Sequence, residues 1–145
     1  MTRLYLMRHG QTLFNTLNRI QGWCDSPLTE KGRDQARQVR AYFEKHGMTF
    51  DQYYCTTTER ASDTIELATG RTDYHRIKGL KEMHFGIFEG QPEYLHPKTS
   101  IVGHFGDHYA QFGGESQDQF VARVVSSARE IVDKHPDLQK YRNAF

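Results

Sequence analysis

The hydrophobic and polar positions of the first fifty residues predict a short strand and then an amphipathic helix. Leu4 to Met7 is an apolar run that ends at polar residues, a pattern typical of a strand covered on both faces, as in a parallel sheet. From Thr29 to about His46, apolar residues recur three and four positions apart, at Ala36, Val39 and Phe43. This spacing predicts a helix with Thr29 as its N-cap and Gly47 just beyond its C-terminus.

A second strand and helix are predicted by the residues that follow. The stretch FDQYYCTTT, residues 50–58, is rich in aromatic and β-branched residues and predicts a strand that ends in a hydroxyl-rich turn. Arg60 to Ala68 is a short predicted helix closed by Gly70. A third, weaker strand is predicted around Tyr74 to Ile77.

The last part of the chain combines an irregular stretch with the clearest helical pattern. Residues 86–114 contain several glycines, two prolines and scattered aromatics with little periodicity, which predicts a long surface excursion of the functional or disordered kind. Ser116 and Gln119 form a capping box that opens a helix, and Pro136 closes it. Its predicted apolar face contains Phe120, Val124, Ala128 and Ile131. Strands alternating with helices indicate a layered α/β domain.

Composition excludes several classes of protein. A chain of 145 residues is one domain's worth, and a formal net charge of +1 disfavours nucleic acid as a partner. No apolar stretch has the length of a membrane span and no signal-peptide pattern is present, so we expect a cytoplasmic protein that does not bind membranes. Cys24 and Cys55 have no pairing pattern and are interpreted as reduced thiols.

Five separated motifs carry the candidate chemistry. In chain order they are RHGQT at residues 8–12, RIQGWCDSPLTEKG at 19–32, TTTERASDT at 56–64, LKEMHFGIFEG at 80–90 and GGES at 113–116. Together they resemble the histidine phosphatase superfamily, the phosphoglycerate mutase-like proteins, whose signature is a strand that ends in Arg-His-Gly. The resemblance implies a three-layer α/β/α fold with a mostly parallel sheet, here a single domain over residues 1–145.

The resemblance assigns four residues to the chemistry, and their side chains suit it. His9 is the expected nucleophile, because an unprotonated imidazole can attack a phosphoryl group and hold it covalently. Arg8 and Arg60 are expected to clamp the phosphate oxygens and to lower the pKa of His9. Glu82, at the acid position of the fourth motif, is the candidate general acid.

Four further residues are expected to contact the substrate. Gly10 has no Cβ, so that phosphate oxygens can approach the backbone, although it is equally explained as an ordinary turn glycine. Asn15, Gln21 and Gly22 are implied by the resemblance to donate hydrogen bonds to the phosphate or the substrate. Taken singly, they are ordinary loop residues.

The remaining histidines do not have the pattern of metal ligands. Those in or near the irregular stretch are His84, His96, His104 and His108, and their spacing matches no metal motif. We expect them to contact substrate or to have no chemical role. No metal and no cofactor is therefore predicted.

The sequence departs from the family pattern at one point. The pattern requires a second histidine on a late strand that ends in Ser-His-Gly, and no such segment occurs, since His135 directly precedes Pro136. We interpret the chain as C-terminally shortened rather than naturally short. The family's missing strand lies beside the first strand, so we expect that exposed edge to be covered by self-association or the domain to be only marginally stable.

Three functions remain open from the sequence. The preferred one is a phosphomonoester hydrolase that acts through a phosphohistidine on a small phosphorylated substrate. A phosphoglycerate mutase-type phosphotransferase is less favoured, because residues 90–115 are short for a segment that encloses the substrate. The third is a non-catalytic phosphate-binding protein, because the second histidine is absent. Losing one hydrogen-bond donor to the charge that develops in the transition state typically costs ~10²- to 10³-fold in rate.

Overall fold

A computed structural model describes residues 4–98 and 103–135 of the chain. Regular structure within these ranges consists of four helices and two strands. In chain order they are α1 (Leu13–Thr16), α2 (Glu30–Lys45), β1 (Tyr54–Cys55), α3 (Glu59–Thr69), β2 (His75–Arg76) and α4 (Gln117–Asp133). Short 3-10 turns occupy Lys78–Leu80, Gly86–Phe88, Glu93–Leu95 and Tyr109–Phe112.

The predicted helices α2 and α3 are confirmed, and they pack against each other. The Thr29 hydroxyl accepts a hydrogen bond from the backbone N–H of Gly32, as expected of an N-cap. Helix α3 ends at Gly70, whose φ of 70° lies in the left-handed region that glycine adopts without strain. Ala36 of α2 and Ala68 of α3 are buried, so each helix has a small side chain on its buried face.

Two predicted strands form a parallel pair, and both are shorter than the sequence pattern. Tyr54 lies opposite His75 and Cys55 opposite Arg76. The backbone N–H of Ile77 continues the ladder by donating to the carbonyl of Cys55 at 2.8 Å. Apart from Tyr54 and Cys55, the aromatic and hydroxyl-rich stretch from residue 50 to 58 lies outside the strands.

The strand predicted at Leu4 to Met7 was wrong for this structure. These residues belong to no strand, and the Leu4 and Leu6 side chains are 67% and 87% exposed. A strand exists only where a neighbour completes its hydrogen-bond ladder, and the sheet of the described residues contains β1 and β2 alone. The apolar run therefore lies at the surface.

The main apolar cluster lies in a part of the chain that lacks periodicity. Its buried members are Ile20, Met83, Phe85 and Tyr109, and Phe88, Phe105 and Phe120 pack against them. All four buried residues come from segments of loop and 3-10 turn rather than from a long helix. The irregular stretch from residue 86 to 114 is thus folded back on itself around aromatic side chains, in its described part.

Helix α4 begins as the sequence predicts but is less buried than expected. The capping box of Ser116 and Gln119 is present in both directions. The predicted apolar face is only partly buried: Phe120, Val124, Ala128 and Ile131 are all intermediate in exposure. Pro136, which was predicted to close the helix, lies outside the described residues.

The one-turn helix α1 was not predicted. It is opened by Thr12, whose hydroxyl accepts the N–H of Asn15 while the Asn15 side chain accepts the N–H of Thr12. Among the helices of the described ranges, none has both the length and the hydropathy that crossing a bilayer requires.

Candidate functional site

The orientation of the His9 ring leaves one nitrogen available for chemistry. Nδ1 lies 2.8 Å from the carbonyl oxygen of Gly10. A carbonyl only accepts hydrogen bonds, so Nδ1 must carry the proton in this contact. In the neutral ring, Nε2 then holds a free lone pair.

The surroundings of His9 favour that neutral ring. Partial burial is the largest effect and lowers the pKa of His9 below its usual 6.5. The contact with the Gly10 carbonyl raises the pKa, the positive charges of Arg60 and Arg8 lower it, and the negative charge of Glu82 raises it by a smaller amount. The net effect is a lowered pKa, so a larger fraction of His9 is unprotonated near neutral pH.

Contacts from helices α2 and α3 hold the turn that follows His9. The N–H of Gly10 donates to the Thr64 hydroxyl of α3 at 3.1 Å, and that hydroxyl donates to the Arg60 carbonyl at 2.6 Å. A Cβ on Gly10 would lie 2.3 Å from the Gly32 carbonyl oxygen in α2. The close approach of α2 therefore explains why residue 10 must be glycine, without reference to a phosphate.

One cavity of about 180 Å³ brings five of the eight predicted site residues together. The predicted residues that line it are Arg8, His9, Asn15, Gln21 and Glu82. The other residues of its wall were not predicted and are Arg19, Ile20, Phe85, Glu93 and His96. The three predicted residues outside the wall are Gly10, Gly22 and Arg60.

The side-chain amides of Asn15 and Gln21 are oriented by a buried hydroxyl. Asn15 Oδ1 accepts from the N–H of Thr12 at 2.9 Å, and Thr12 Oγ1 lies within hydrogen-bond distance of both amide oxygens. Gln21 Oε1 also accepts from the Ser26 hydroxyl at 2.5 Å. With both oxygens occupied by protein donors, the amide nitrogens are the groups left to face an anion in the cavity.

Arg60 is buried at 2% exposure, and most of its guanidinium hydrogen bonds go to carbonyl groups of a loop. Nη1 donates to the Cys24 carbonyl at 2.9 Å and to the Asp25 carboxylate at 3.0 Å, and Nη2 donates to the Gly22 carbonyl at 2.8 Å. Nε is buried without a hydrogen-bond partner among the described residues. Arg60 thus anchors the loop of residues 22–25, with Nε as an unsatisfied donor.

Gly22 lies where the loop of residues 22–24 contacts the segment after Glu82. A Cβ at this position would lie 2.1 Å from the Met83 carbonyl oxygen. The Glu89 carboxylate joins the two segments by accepting four backbone N–H groups, from Gly22, Trp23, Cys24 and Phe85, at 3.1, 2.8, 2.9 and 3.0 Å. This geometry gives Glu89 a structural role.

Glu82 lines the cavity on an exposed side chain. Its Oε1 accepts the backbone N–H of Met83 at 2.9 Å, and its charge acts on His9 as described above. The backbone of Glu82 is held more firmly than its side chain, because its carbonyl accepts from Trp23 Nε1 at 3.0 Å and from Arg123 Nη2 at 3.2 Å.

His96 is a cavity residue that was only named as a substrate contact or a residue without a role. Its Nδ1 is hydrogen-bonded to the hydroxyl of Tyr109, and its ring stacks on Phe105 at 4.9 Å between centroids. Burial lowers the pKa of His96 and raises that of Tyr109 to about 12. The His96 side chain is therefore a neutral imidazole fixed in the cavity wall. In the sequence, only its position in an irregular stretch without motifs could have indicated this.

The other histidines lie apart from the cavity wall. His84 packs against the Trp23 ring at 4.6 Å, and His135 Nε2 is hydrogen-bonded to the Tyr54 hydroxyl at 2.6 Å. Within residues 4–98 and 103–135, no group of three or more His, Cys, Asp or Glu residues is arranged to hold a metal ion.

Comparison with known proteins identifies the family of the chain. The sequence model of the histidine phosphatase superfamily (branch 1) matches residues 4–139. The chain therefore belongs to the histidine phosphatase superfamily.

Solved structures show the same fold. YhfR of Bacillus stearothermophilus is 31% identical, with a TM-score of 0.71 over 88% of this chain and 66% of that one. A putative alpha-ribazole-5'-P phosphatase of Escherichia coli is 26% identical, with a TM-score of 0.73 over 89% and 66%. The phosphoglycerate mutase of Bacillus anthracis is 25% identical, with a TM-score of 0.74 over 87% and 65%.

These matches confirm the predicted fold class, an α/β fold of the phosphoglycerate mutase type with a parallel sheet. The chain spans about 66% of the length of the structures that it matches. They include both a mutase and a putative phosphatase, so the family likeness leaves the reaction of this chain to be argued from its site.

Proposed function

We propose that the chain acts on small phosphomonoesters through a phosphohistidine formed on His9, with hydrolysis as the net reaction. One observation carries the proposal: the His9 Nδ1–H is engaged by the Gly10 carbonyl, so that Nε2 keeps its lone pair in a cavity shared with Arg8 and Glu82. A neutral ring oriented in this way is a competent nucleophile toward phosphorus.

The first step forms the covalent intermediate. Nε2 of His9 attacks the phosphorus atom, the bond from phosphorus to the ester oxygen breaks, and the protonated carboxyl of Glu82 gives its proton to the departing oxygen. Arg8 and the amides of Asn15 and Gln21 stabilise the charge on the phosphoryl oxygens. Arg60 contributes its positive charge, which also lowers the pKa of His9.

The second step releases phosphate. Water attacks the phosphorus atom of the phosphohistidine, Glu82 now accepts the proton of that water, and the bond from phosphorus to Nε2 breaks. Gly10 and Gly22 have no Cβ, so the backbone can pack closely against Gly32 and Met83. His9 and Glu82 are returned to their starting protonation states.

Hydrolysis is preferred to phosphoryl transfer between two positions of one substrate. A mutase must keep its phosphorylated intermediate away from water. Glu82, on the wall of the cavity, is exposed. This exposure supports access of water to the phosphohistidine.

Phosphate labelling tests the proposal. The chain is incubated with a ³²P-labelled phosphomonoester, quenched in alkaline denaturant, and examined for phosphate that is stable in base and labile in acid. We expect label on wild-type protein and none on His9→Ala, with His84→Ala as the matched control that keeps it. Label that persists in His9→Ala would refute the role of His9. Phosphate binding without label would instead favour the binding-protein alternative.

A further inference from the structure

The guanidinium of Arg123, on helix α4, binds three backbone carbonyls of the segment that contains Glu82. Nη1 donates to the carbonyl oxygens of Gly79 and Lys81, each at 2.9 Å, and Nη2 donates to that of Glu82 at 3.2 Å. The planar guanidinium suits this role, because it presents five N–H donors in a fixed fork.

Glu115 holds this guanidinium in place from the other side. Its carboxylate is hydrogen-bonded to Nη2 of Arg123 and accepts from Nε at 3.1 Å. The Arg123 and Glu115 side chains are 22% and 14% exposed. The ion pairs of α2 are more exposed, so solvent screens them more strongly. The Glu115 carboxylate also accepts the backbone N–H of His84 at 2.8 Å, and the backbone N–H of Glu115 donates to the His84 carbonyl at 2.9 Å.

These contacts fix the backbone on both sides of Glu82. Residues 79, 81 and 82 are tied through Arg123 and residue 84 through Glu115, while the indole N–H of Trp23 is the second donor to the Glu82 carbonyl. The Glu82 side chain itself has one backbone contact, to Met83. Where its carboxylate lies relative to His9 is therefore set mainly by the backbone that carries it.

We propose that Arg123, held by Glu115, is a positioning residue that keeps the Glu82 carboxylate facing the His9 ring. The inference rests on the proposed function, in which Glu82 exchanges protons with the leaving oxygen and with water. Arg123 does not line the cavity. It acts through the peptide groups of residues 79–82.

The first test does not require turnover. The pKa of the His9 imidazole is measured by NMR in wild type, Glu82→Gln, Arg123→Met and the double variant. Because the negative charge of Glu82 raises the pKa of His9, displacing the carboxylate lowers it. We expect Arg123→Met to lower the His9 pKa toward the value in Glu82→Gln, and the double variant to show no further fall.

Direction separates positioning from simple loss of charge. Removing a cation near His9 would raise its pKa, the opposite of the expected change. The other groups that act on the ring, Arg8, Arg60 and the Gly10 carbonyl, are present in every variant. Arg129→Met, an exposed arginine on the same helix, is the matched control and should leave the His9 pKa unchanged. A wild-type His9 pKa in folded Arg123→Met would overturn the proposal, as would a full further fall in the double variant.

Two milder variants cover the case in which Arg123→Met does not fold. Arg123→Lys keeps the charge and part of the hydrogen bonding, so its His9 pKa should lie between those of wild type and Glu82→Gln. Glu115→Gln loosens the support of the guanidinium and should shift the His9 pKa in the same direction. If both folded variants keep the wild-type His9 pKa, the proposal fails.

Kinetics supply the second readout. If Arg123 positions the acid, Arg123→Lys should slow hydrolysis of an alkyl phosphate about tenfold more than that of p-nitrophenyl phosphate, whose leaving group needs no proton. An equal loss with both substrates would contradict positioning. A wild-type chain without phosphohistidine or turnover refutes the proposed function instead, and the His9 pKa comparison still decides the role of Arg123.

Discussion

A single carboxylate, that of Glu89, connects the two loops that carry Gln21 and Glu82. Four backbone N–H groups converge on it. In Glu89→Gln one oxygen is replaced by an NH₂ group that faces these donors. We expect the free energy of unfolding to fall by at least about 2 kcal/mol, measured by urea denaturation, while the exposed Glu130→Gln changes it little. Equal stabilities for the two variants would contradict this role.

The same residue predicts part of the acid sensitivity of the fold. Burial alone would raise the pKa of Glu89, but the hydrogen bonds from Cys24, Trp23 and Phe85 outweigh it and hold the pKa below the ordinary 4.5. A carboxyl with a lowered folded pKa stabilises above its unfolded pKa and loses that contribution as pH falls through the folded value. Urea titrations below pH 4.5 should therefore show a steeper loss of stability in wild type than in Glu89→Gln. Parallel curves would oppose this assignment.

Motif residues could be placed from the sequence, while their supporting contacts could not. Arg8, His9, Asn15, Gln21 and Glu82 line one cavity, while their roles stay predictions. The sequence did not show that Arg60 is largely occupied by loop carbonyls, because those contacts join residues far apart in the chain. Glu93 and Arg19 were missed as cavity residues for the same reason, and His96 was expected only to contact substrate or to have no chemical role.

At the level of elements, the contact between residues 10–11 and the first turn of α2 fixes how the helix meets the site. A Cβ on Gly32 would lie 2.0 Å from the Gln11 carbonyl oxygen. Helix propensity alone predicts that Gly32→Ala stabilises the protein by up to ~1 kcal/mol. We expect the opposite sign, a loss of about 2 kcal/mol in the free energy of unfolding, because backbone must shift. A stabilised Gly32→Ala in thermal and urea denaturation would refute the contact.

The elements that were predicted correctly have local signals. Caps and periodicity identified α2, α3 and α4, since these depend on residues within a few positions of one another. The strand at Leu4 to Met7 was wrong because strand formation depends on a partner elsewhere in the chain. The aromatic core around Phe85 and Tyr109 was missed because irregular backbone leaves no period to detect.

On the scale of the whole molecule, exposed apolar residues at one end of the described chain predict self-association. Leu4, Tyr5, Leu6 and Met7 are all at least 45% exposed, and contiguous apolar surface of this kind favours contact with a second copy. We expect the sedimentation coefficient to rise with concentration, and Leu6→Lys to abolish that rise without loss of helix content by circular dichroism. Monomeric wild-type protein at all concentrations would contradict this proposal.

The central claim is that one anion is held against Nε2 of His9 by the arginines, with Glu82 facing it. A crystal structure with orthovanadate tests it most directly. We expect vanadium bonded to Nε2, equatorial oxygens contacted by Arg8, and the Glu82 carboxylate at the apical oxygen. Vanadate bound elsewhere, or bound to His9 with Arg8 or Glu82 out of reach of its oxygens, would contradict this claim.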